Sequence, residues 1–289
     1  MKTICRITVF SDSLPELEKI AALGASRIEI QNSTLYCPCF FDVDDCNPHF
    51  DEILALVELI KKKASVQTSF HLVYSEEERS NAEFFHVRST YAGLDSAYDP
   101  NQYELLHYYD TVTMQGKKLY DRFEHVRQIG SIIANKKPIW KTTRQFCSDY
   151  GSAMQNLYCS DFAKKVIESG DLTGVEFYNV LSAKTRSPLS DLWQLWPKEC
   201  EDFLAAGPFM QTRTCKECGR TRYYTAGGRA QIKIRKERTP EGLDFLQVPG
   251  AVGADTGYPY IIVSRKAYIA LTQAKIVRSM VFEPLCRAE

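Results

Sequence analysis

The feature that most constrains the fold of this chain is a Cys-Lys-Glu-Cys-Gly motif at positions 215–219. Two thiolates at this spacing can bind one tetrahedral zinc ion from a tight turn, and the trailing glycine allows the left-handed backbone that such a turn needs. The residues that follow, with Tyr223-Tyr224, Gly227-Gly228 and an alternating stretch at 231–234, predict a hairpin like that of a zinc ribbon. The alternative is an ordinary pair of thiols in a turn. A thioredoxin-like redox pair fits less well, because that motif opens a helix after a strand.

A structural zinc ion needs four protein ligands, and the sequence has no second Cys-x-x-Cys. Among the 10 cysteines, Cys37 and Cys39 are the most clustered candidates, with Cys46 close by, and the others are more scattered. We therefore predict a structural zinc site that uses Cys215 and Cys218, with Cys37 and Cys39 as the remaining ligands.

The N-terminal residues show no long apolar segment of the kind that a secretory signal contains, and no apolar run approaches the ~18 residues needed to cross a bilayer. These observations predict a cytoplasmic protein that does not enter a membrane. Thiols stay reduced in that compartment, so the cysteines are expected to be core residues, metal ligands or reactive groups rather than disulfides.

Hydrophobic spacing predicts an α+β fold, with mixed sheets, packed helices and the small zinc-knuckle hairpin. The first segment is typical of a strand, a helix stopped by Gly24 and a second strand at 27–30, an order compatible with parallel pairing. A helix is expected after Asn47-Pro48, and a strand at 66–72. The stretch 118–134 has helical spacing, and 91–100 is polar and turn-rich, which predicts a surface loop.

A charged pair before Pro138 seldom continues a helix, so we predict two domains, 1–138 and 139–289. In the second, one pattern occurs twice: Ser160 and Ser264 each precede an apolar helix that leads to a short strand. The pattern is common, so it indicates shared architecture more than a duplicated sequence.

Charge is distributed unevenly although the whole chain is neutral, with 36 basic and 36 acidic residues. Between Arg213 and Arg238 there are nine lysines and arginines against two glutamates, which favours either a solvated hairpin face or a nucleic-acid backbone as partner. Asp42, Asp44 and Asp45 form an acidic stretch without a helix-start explanation. Such a stretch can attract a basic protein, and a solvated loop is the alternative.

Contiguous catalytic motifs are absent from the sequence: it has no phosphate-binding glycine-lysine loop, no GxSxG and no HExxH. We therefore predict a protein that is not an enzyme.

Trp193 and Trp196 are aromatic at helical spacing, which is typical of core packing; the alternative is a partner-binding site, where tryptophan is enriched.

The C-terminal half, roughly Cys159 to Leu285, resembles the double-CxxCG-motif immunity proteins of bacterial polymorphic-toxin systems. The resemblance rests on a helix leading to 174–177, on the Cys-x-x-Cys-Gly-Arg motif at 215–220, and on the strand at 260–264 with the closing strand at 280–285. The family's first CxxCG is missing, and Cys37 and Cys39 lie in that region instead. The resemblance implies a cytosolic antitoxin that occludes a cognate toxin domain.

Two other functions remain open at this stage. The basic stretch supports a nucleic-acid-binding protein with a zinc ribbon, and salt-dependent binding to random DNA or RNA would favour it. An enzyme with a non-contiguous site is supported only by the chain's size and its thiols and histidines.

The zinc prediction can be tested by elemental analysis of protein purified without added metal. We expect one zinc ion per chain, lost in Cys215→Ser/Cys218→Ser together with stability, because structural zinc binding is coupled to folding. Cys200→Ser serves as the control and should keep the metal. A well-folded wild-type protein that contains no zinc would contradict the prediction.

Overall fold

A computed structural model of the chain describes residues 2–10, 15–28, 39–44, 46–97, 102–107, 112–114, 117–119, 125–149, 156–200, 202–207, 210–214, 221–225, 232–238, 240–252 and 258–288. The chain divides into two compact units, one made of Met1–Ser80 with two short later segments and the other of the remaining residues. Both combine helices with sheets, so the predicted α+β class is confirmed. No helix of the described part is long and apolar enough to cross a membrane.

The N-terminal unit follows the order strand, helix, strand, strand, helix, strand. Its elements are β1 (Lys2–Val9), α1 (Pro15–Ala22), β2 (Ser26–Ile28), β3 (Cys39–Asp44), α2 (Phe50–Ile60) and β4 (Val66–Val73), followed by a short α3 (Glu76–Asn81). The sheet order is β2-β3-β1-β4, with every neighbouring pair antiparallel. This is the split β-α-β topology of ferredoxin-like domains.

One face of this sheet is covered by the two helices. Ile7 of β1, Phe41 of β3, Ile20 of α1 and Ile53 of α2 are fully buried in a common core. Gly24 ends the α1 region with a φ of 88°, a backbone that glycine adopts without strain. β1 and β2 run parallel but are not neighbours, because β3 lies between them and pairs antiparallel with both.

The larger unit contains most of the strands. Its elements are β5 (Phe84–Ser89), β6 (Ala92–Ala97), β7 (Tyr103–His107), β8 (Val112–Met114), β9 (Lys117–Leu119), β10 (His125–Gln128), β11 (Ile133–Lys136), β12 (Phe146–Asp149), β13 (Leu157–Cys159), α4 (Asp161–Ser169), β14 (Val175–Ser182), β15 (Pro188–Glu199), β16 (Leu204–Ala206), β17 (Met210–Thr214), β18 (Thr221–Thr225), β19 (Ile232–Ile234), β20 (Phe245–Val252), β21 (Tyr258–Ser264), α5 (Arg265–Gln273) and β22 (Met280–Pro284).

Six of these strands close into a barrel. They follow the order β13-β12-β6-β11-β14-β15, and β15 also pairs with β13, which removes both edges. Each strand contributes a buried apolar side chain to the interior: Leu94, Ala134, Cys147, Tyr158, Val180 and Leu192, together with Ile132. Tyr158 donates a hydrogen bond to Asp149 inside the barrel at 3.0 Å, so its hydroxyl is satisfied there.

A second sheet continues from the barrel through β15, which pairs in parallel with β20. The order from there is β20-β21-β5-β22, and α4 and α5 pack on the face that carries Phe85, Phe245 and Phe282. Phe85 stacks on Tyr268 of α5 with ring centroids 4.3 Å apart. These contacts give the larger unit its main hydrophobic core.

The two predicted serine-capped helices are confirmed. Ser160 Oγ accepts a hydrogen bond from Ala163 N at 3.2 Å, and Ser264 Oγ accepts one from Ala267 N at 3.1 Å. Each helix ends at a left-handed residue, Asp171 with φ 48° and Lys275 with φ 56°, at the same distance from its capping serine.

Three expectations about secondary structure were wrong. Part of 118–134 forms the strands β9, β10 and β11, because pairing with distant strands outweighs the local helical spacing. The surface loop predicted at 91–100 contains the strand β6 at 92–97. Its sequence is polar because only Leu94 of this strand is fully buried in the barrel. The strand at 232–234 pairs with β16 instead of forming a hairpin with Tyr223 and Tyr224.

The predicted boundary at Pro138 falls inside the larger unit. Two strand pairings cross that position. β11, which precedes it, pairs with β14, which follows it, and β6 pairs with β12 in the same way. A division there would cut the barrel, and the two units divide near Ser80 instead.

Gly174, between α4 and β14, supplies a matched test of backbone packing. Its φ is 79°, and a Cβ there would overlap the carbonyl oxygen of Phe245, whereas Gly242 has a φ of 72° and open space around it. We expect Gly242→Ala to cost about 1 kcal/mol, the left-handed penalty alone, and Gly174→Ala to cost about 3 kcal/mol because steric overlap is added. Urea unfolding measures both; equal losses would contradict the packing argument.

Candidate functional site

A cleft opens at one end of the barrel, where β14 begins and β15 ends. Side chains alternate along a strand, so Glu176 and Tyr178 share one face of β14. Each lies opposite a residue of the same face of β15, Glu176 opposite Trp196 and Tyr178 opposite Gln194. The volume of the cleft is about 800 Å³, and its lining includes Gln128, Gly130, Ser131, Gly174, Glu176, Tyr178, Trp196, Lys198 and Glu199.

One residue of the cleft lining, Gln128, bonds through its side-chain amide to the amide of Gln194. Gln194 is fully buried, and its Nε2 donates to Gln128 Oε1 at 2.8 Å while Gln128 Nε2 donates to Gln194 Oε1 at 2.8 Å. Gln128 Nε2 also donates to the carbonyl of Gly130 at 2.8 Å. The burial of these polar groups is thus compensated by hydrogen bonds, and the pair carries no charge.

Two aromatic rings form a wall of the cleft. The rings of Tyr178 and Trp196 lie with centroids 6.0 Å apart and planes inclined at 75°, an edge-to-face arrangement. Tyr178 keeps 41% of its surface exposed, and Trp196 is half-buried. Large aromatic surface that stays open to solvent in a concave site is typical of a binding site.

A carboxylate stands beside these rings. Tyr178 Oη donates a hydrogen bond to Glu176 Oε2 at 2.6 Å, and this bond, with partial burial, raises the pKa of Tyr178 above its ordinary value. The phenol therefore stays protonated and holds one oxygen of Glu176. Glu199 and Lys198 complete the charged lining, both exposed, so the cleft carries two acidic side chains and one basic.

Of the two predicted tryptophans, only Trp196 lines the cleft. Trp193 lies on the opposite face of β15, where its Nε1 donates to Asp161 Oδ1 at 2.6 Å and Lys164 Nζ sits 3.5 Å from the ring centroid. It packs against the main core. The helix that this spacing predicts was wrong, because both residues lie in the strand β15. Much of β15 is buried on both faces, and the sequence of such a strand is nearly continuously apolar, so it does not alternate.

The predicted acidic stretch lies in the N-terminal unit and is partly neutralised there. Asp42 on β3 accepts two hydrogen bonds from Arg6 on β1, at 2.8 and 2.7 Å. Asp44 Oδ1 accepts from Cys46 N at 3.0 Å at the end of the same strand. Asp45 lies outside the described residues. Asp42 and Asp44 thus have local structural partners, and their role in attracting a protein stays a prediction.

The predicted zinc ligands are described only in part. Cys37, Cys215 and Cys218 lie outside the described residues, and Cys39 is buried in the N-terminal core, a position that favours its role as a core thiol. Within the described ranges, no three acidic, histidine or cysteine side chains cluster as metal ligands would. The zinc site stays a prediction.

The strands that flank the Cys-x-x-Cys motif do pair with each other. β17 ends at Thr214, β18 begins at Thr221, and their hydroxyl oxygens lie 2.9 Å apart. The motif therefore connects two paired strands.

Part of the basic stretch has structural roles. Arg222 is buried, and Arg235 Nε donates to the carbonyl of Leu204 at 3.0 Å. These side chains are directed to the protein itself, which lowers the number of charges that this stretch presents to a nucleic acid.

A histidine and a glutamate meet on the second sheet, a pair that the sequence did not reveal. His86 Nδ1 lies 2.9 Å from Glu283 Oε2, and its ring stacks on Tyr260 at 4.0 Å. Burial raises the pKa of Glu283, but the hydrogen bond with His86 and the charges of His86 and Arg88 outweigh it, so the net pKa is lowered.

A buried carboxylate joins the two serine-capped segments. Asp244 accepts hydrogen bonds from Ser264 Oγ at 2.6 Å and from Thr173 N at 3.0 Å, and Lys266 Nζ lies 3.4 Å away. A shallow pocket beside it is lined by the same residues. All these groups bond to one another, so the arrangement is structural.

The cleft residues Gln128, Glu176 and Tyr178 were not predicted from the sequence. Glu176 and Tyr178 alternate with apolar neighbours, a pattern that correctly predicts a strand, but only the pairing of β14 with β15 places them beside Trp196.

No protein-family model and no curated protein matches this sequence.

The Glu283 pair predicts an acid-dependent loss of stability. A carboxylate whose pKa is lowered by folding stabilises the protein above its unfolded pKa, about 4.3, and that contribution is lost as the pH falls through the folded pKa. We expect Glu283→Gln to cost about 1 kcal/mol at pH 6 and much less near pH 3. Urea unfolding at a series of pH values measures the difference.

Glu52→Gln is the matched control, because Glu52 forms an exposed pair with His49. Its cost should stay below about 0.5 kcal/mol at every pH. A pH-independent cost of Glu283→Gln would contradict the assignment.

Proposed function

We propose that this protein is a cytoplasmic antitoxin that neutralises a cognate bacterial toxin domain by stoichiometric binding. The observation that carries the proposal is the exposed pair of Tyr178 and Trp196 in a cleft built on the closed barrel. Tyrosine and tryptophan are enriched among the few residues that dominate protein–protein affinity, and such anchors are most effective on a rigid support.

The chemistry of the cleft favours binding over turnover. The buried amides are bonded to each other, and the phenol is bonded to Glu176. The described lining contains no histidine or cysteine that could act as a nucleophile or base. Recognition of a partner by aromatic contact and charge requires neither a nucleophile nor a base.

The choice of a toxin as partner is supported by the resemblance of the C-terminal half to the double-CxxCG immunity proteins. The resemblance rests on the helix leading to 174–177, on the Cys-x-x-Cys-Gly-Arg motif at 215–220, and on the strands at 260–264 and 280–285. Of these segments, β21 and β22 both pair with β5. Structural zinc bound by Cys215 and Cys218 belongs to the same proposal.

The proposal expects the adjacent gene to encode a toxin domain, and the test is co-expression with that domain. We expect rescue of growth and a one-to-one complex. Tyr178→Ala and Trp196→Ala should each weaken that complex by about 2 kcal/mol, roughly thirtyfold in Kd, because truncating a central aromatic anchor costs this much. Isothermal calorimetry measures the loss.

Phe162→Ala is the matched control: Phe162 is 52% exposed on α4 and lies outside the cleft lining. It should bind like the wild type. A complex that tolerates both cleft substitutions would remove the cleft from the interface, and failure of the wild-type chain to bind or rescue would refute the antitoxin function itself.

A further inference from the structure

We infer that the cleft holds the guanidinium group of an arginine side chain from the partner protein, between the rings of Tyr178 and Trp196 and the carboxylate of Glu176. The inference rests on the proposed function and names the chemistry that the cleft recognises.

The aromatic faces are the first reason. Elsewhere the larger unit places its own cations over two half-buried rings: Arg144 lies 3.8 Å from the ring centroid of Tyr91, and Lys164 lies 3.5 Å from that of Trp193. Among the described residues, no cation lies over Trp196 or Tyr178. Tryptophan and tyrosine faces attract cations, so this pair offers a site for one supplied by another molecule.

The position of Glu176 is the second reason. Tyr178 Oη holds its Oε2 at 2.6 Å, which fixes the carboxylate beside the rings and leaves Oε1 as an acceptor. Glu199 adds a second negative charge against the one positive charge of Lys198. An anionic ligand such as a nucleic-acid backbone would meet repulsion here, whereas a cation is attracted.

The combination of a flat ring and a carboxylate favours arginine over lysine. A guanidinium is planar, stacks on aromatic faces and presents several N–H donors to a carboxylate, whereas an ammonium is a compact and more strongly hydrated charge. Because the amides of Gln128 and Gln194 bond to each other, recognition depends on the rings and on Glu176. A cleft of about 800 Å³ also has room for the chain that carries the arginine.

The experiment titrates the full chain with capped Gly-Arg-Gly, and separately with capped Gly-Lys-Gly and Gly-citrulline-Gly, while recording the indole N–H resonances by NMR. The chain has three tryptophans, so Trp196→Phe assigns the signal of Trp196. We expect the arginine peptide to shift that signal saturably, with a Kd of about 1–10 mM, and the uncharged citrulline peptide to bind at least about tenfold more weakly. The lysine peptide should fall between them.

Glu176→Gln should weaken the arginine peptide about tenfold. Tyr178→Phe, which keeps the ring and removes the bond that positions Glu176, should weaken it by a smaller factor. Glu58→Gln, an exposed change in the N-terminal unit, should leave it unchanged. Unchanged unfolding midpoints exclude a folding defect in each variant.

The inference is overturned if the arginine peptide does not saturate the Trp196 signal up to about 50 mM, if citrulline binds equally well, or if Glu176→Gln has no effect. These outcomes are independent of the toxin. A toxin complex that forms while the peptide fails to bind would sink the arginine site alone, and peptide binding without any toxin complex would sink the antitoxin function alone.

Discussion

The pairing of β15 with strands on both of its sides is the constraint on which the larger unit depends. Leu195 lies opposite Leu157 of β13 and Phe177 of β14, so one strand closes the barrel. The same strand continues into the second sheet through β20. Because its side chains alternate, β15 supplies Trp196 to the cleft and Trp193 to the packing against α4. A shift in its register by one residue would exchange these faces and remove the cleft wall.

The second sheet depends on how its two helices begin. Ser160 and Ser264 each accept a hydrogen bond from the third backbone N–H of α4 and α5, and Asp244 ties the segment after α4 to the serine that precedes α5. A buried carboxylate is stable only when its oxygens are bonded, and here three different donors face it. The two helices are thereby fixed over the core, although they lie far apart in the sequence.

The sequence predicted those features that depend on neighbouring residues. The serine caps, the turn at Gly24, the helix after Pro48 and the strand at 66–73 follow from local hydrogen bonding and spacing, and each is confirmed. The barrel and the cleft depend on pairing between distant segments, such as β11 with β14, which no local pattern encodes. Trp196 was singled out, together with Trp193, because tryptophan is enriched at partner-binding sites. Glu176 and Tyr178 were missed because nothing in the sequence of a strand distinguishes them. Only the pairing with β15 brings them beside Trp196.

The reciprocal amide bond between Gln128 and Gln194 has a consequence for the kinetics of any molecule that enters the cleft. Since each amide already satisfies the other, neither has to rotate or exchange a partner when the cleft fills, and the barrel behind them keeps its packing. Binding of the proposed ligand would then require no rearrangement of these two amides, which favours an association rate governed by diffusion and charge. Differences in affinity between related partners would accordingly be expressed in how long each stays bound.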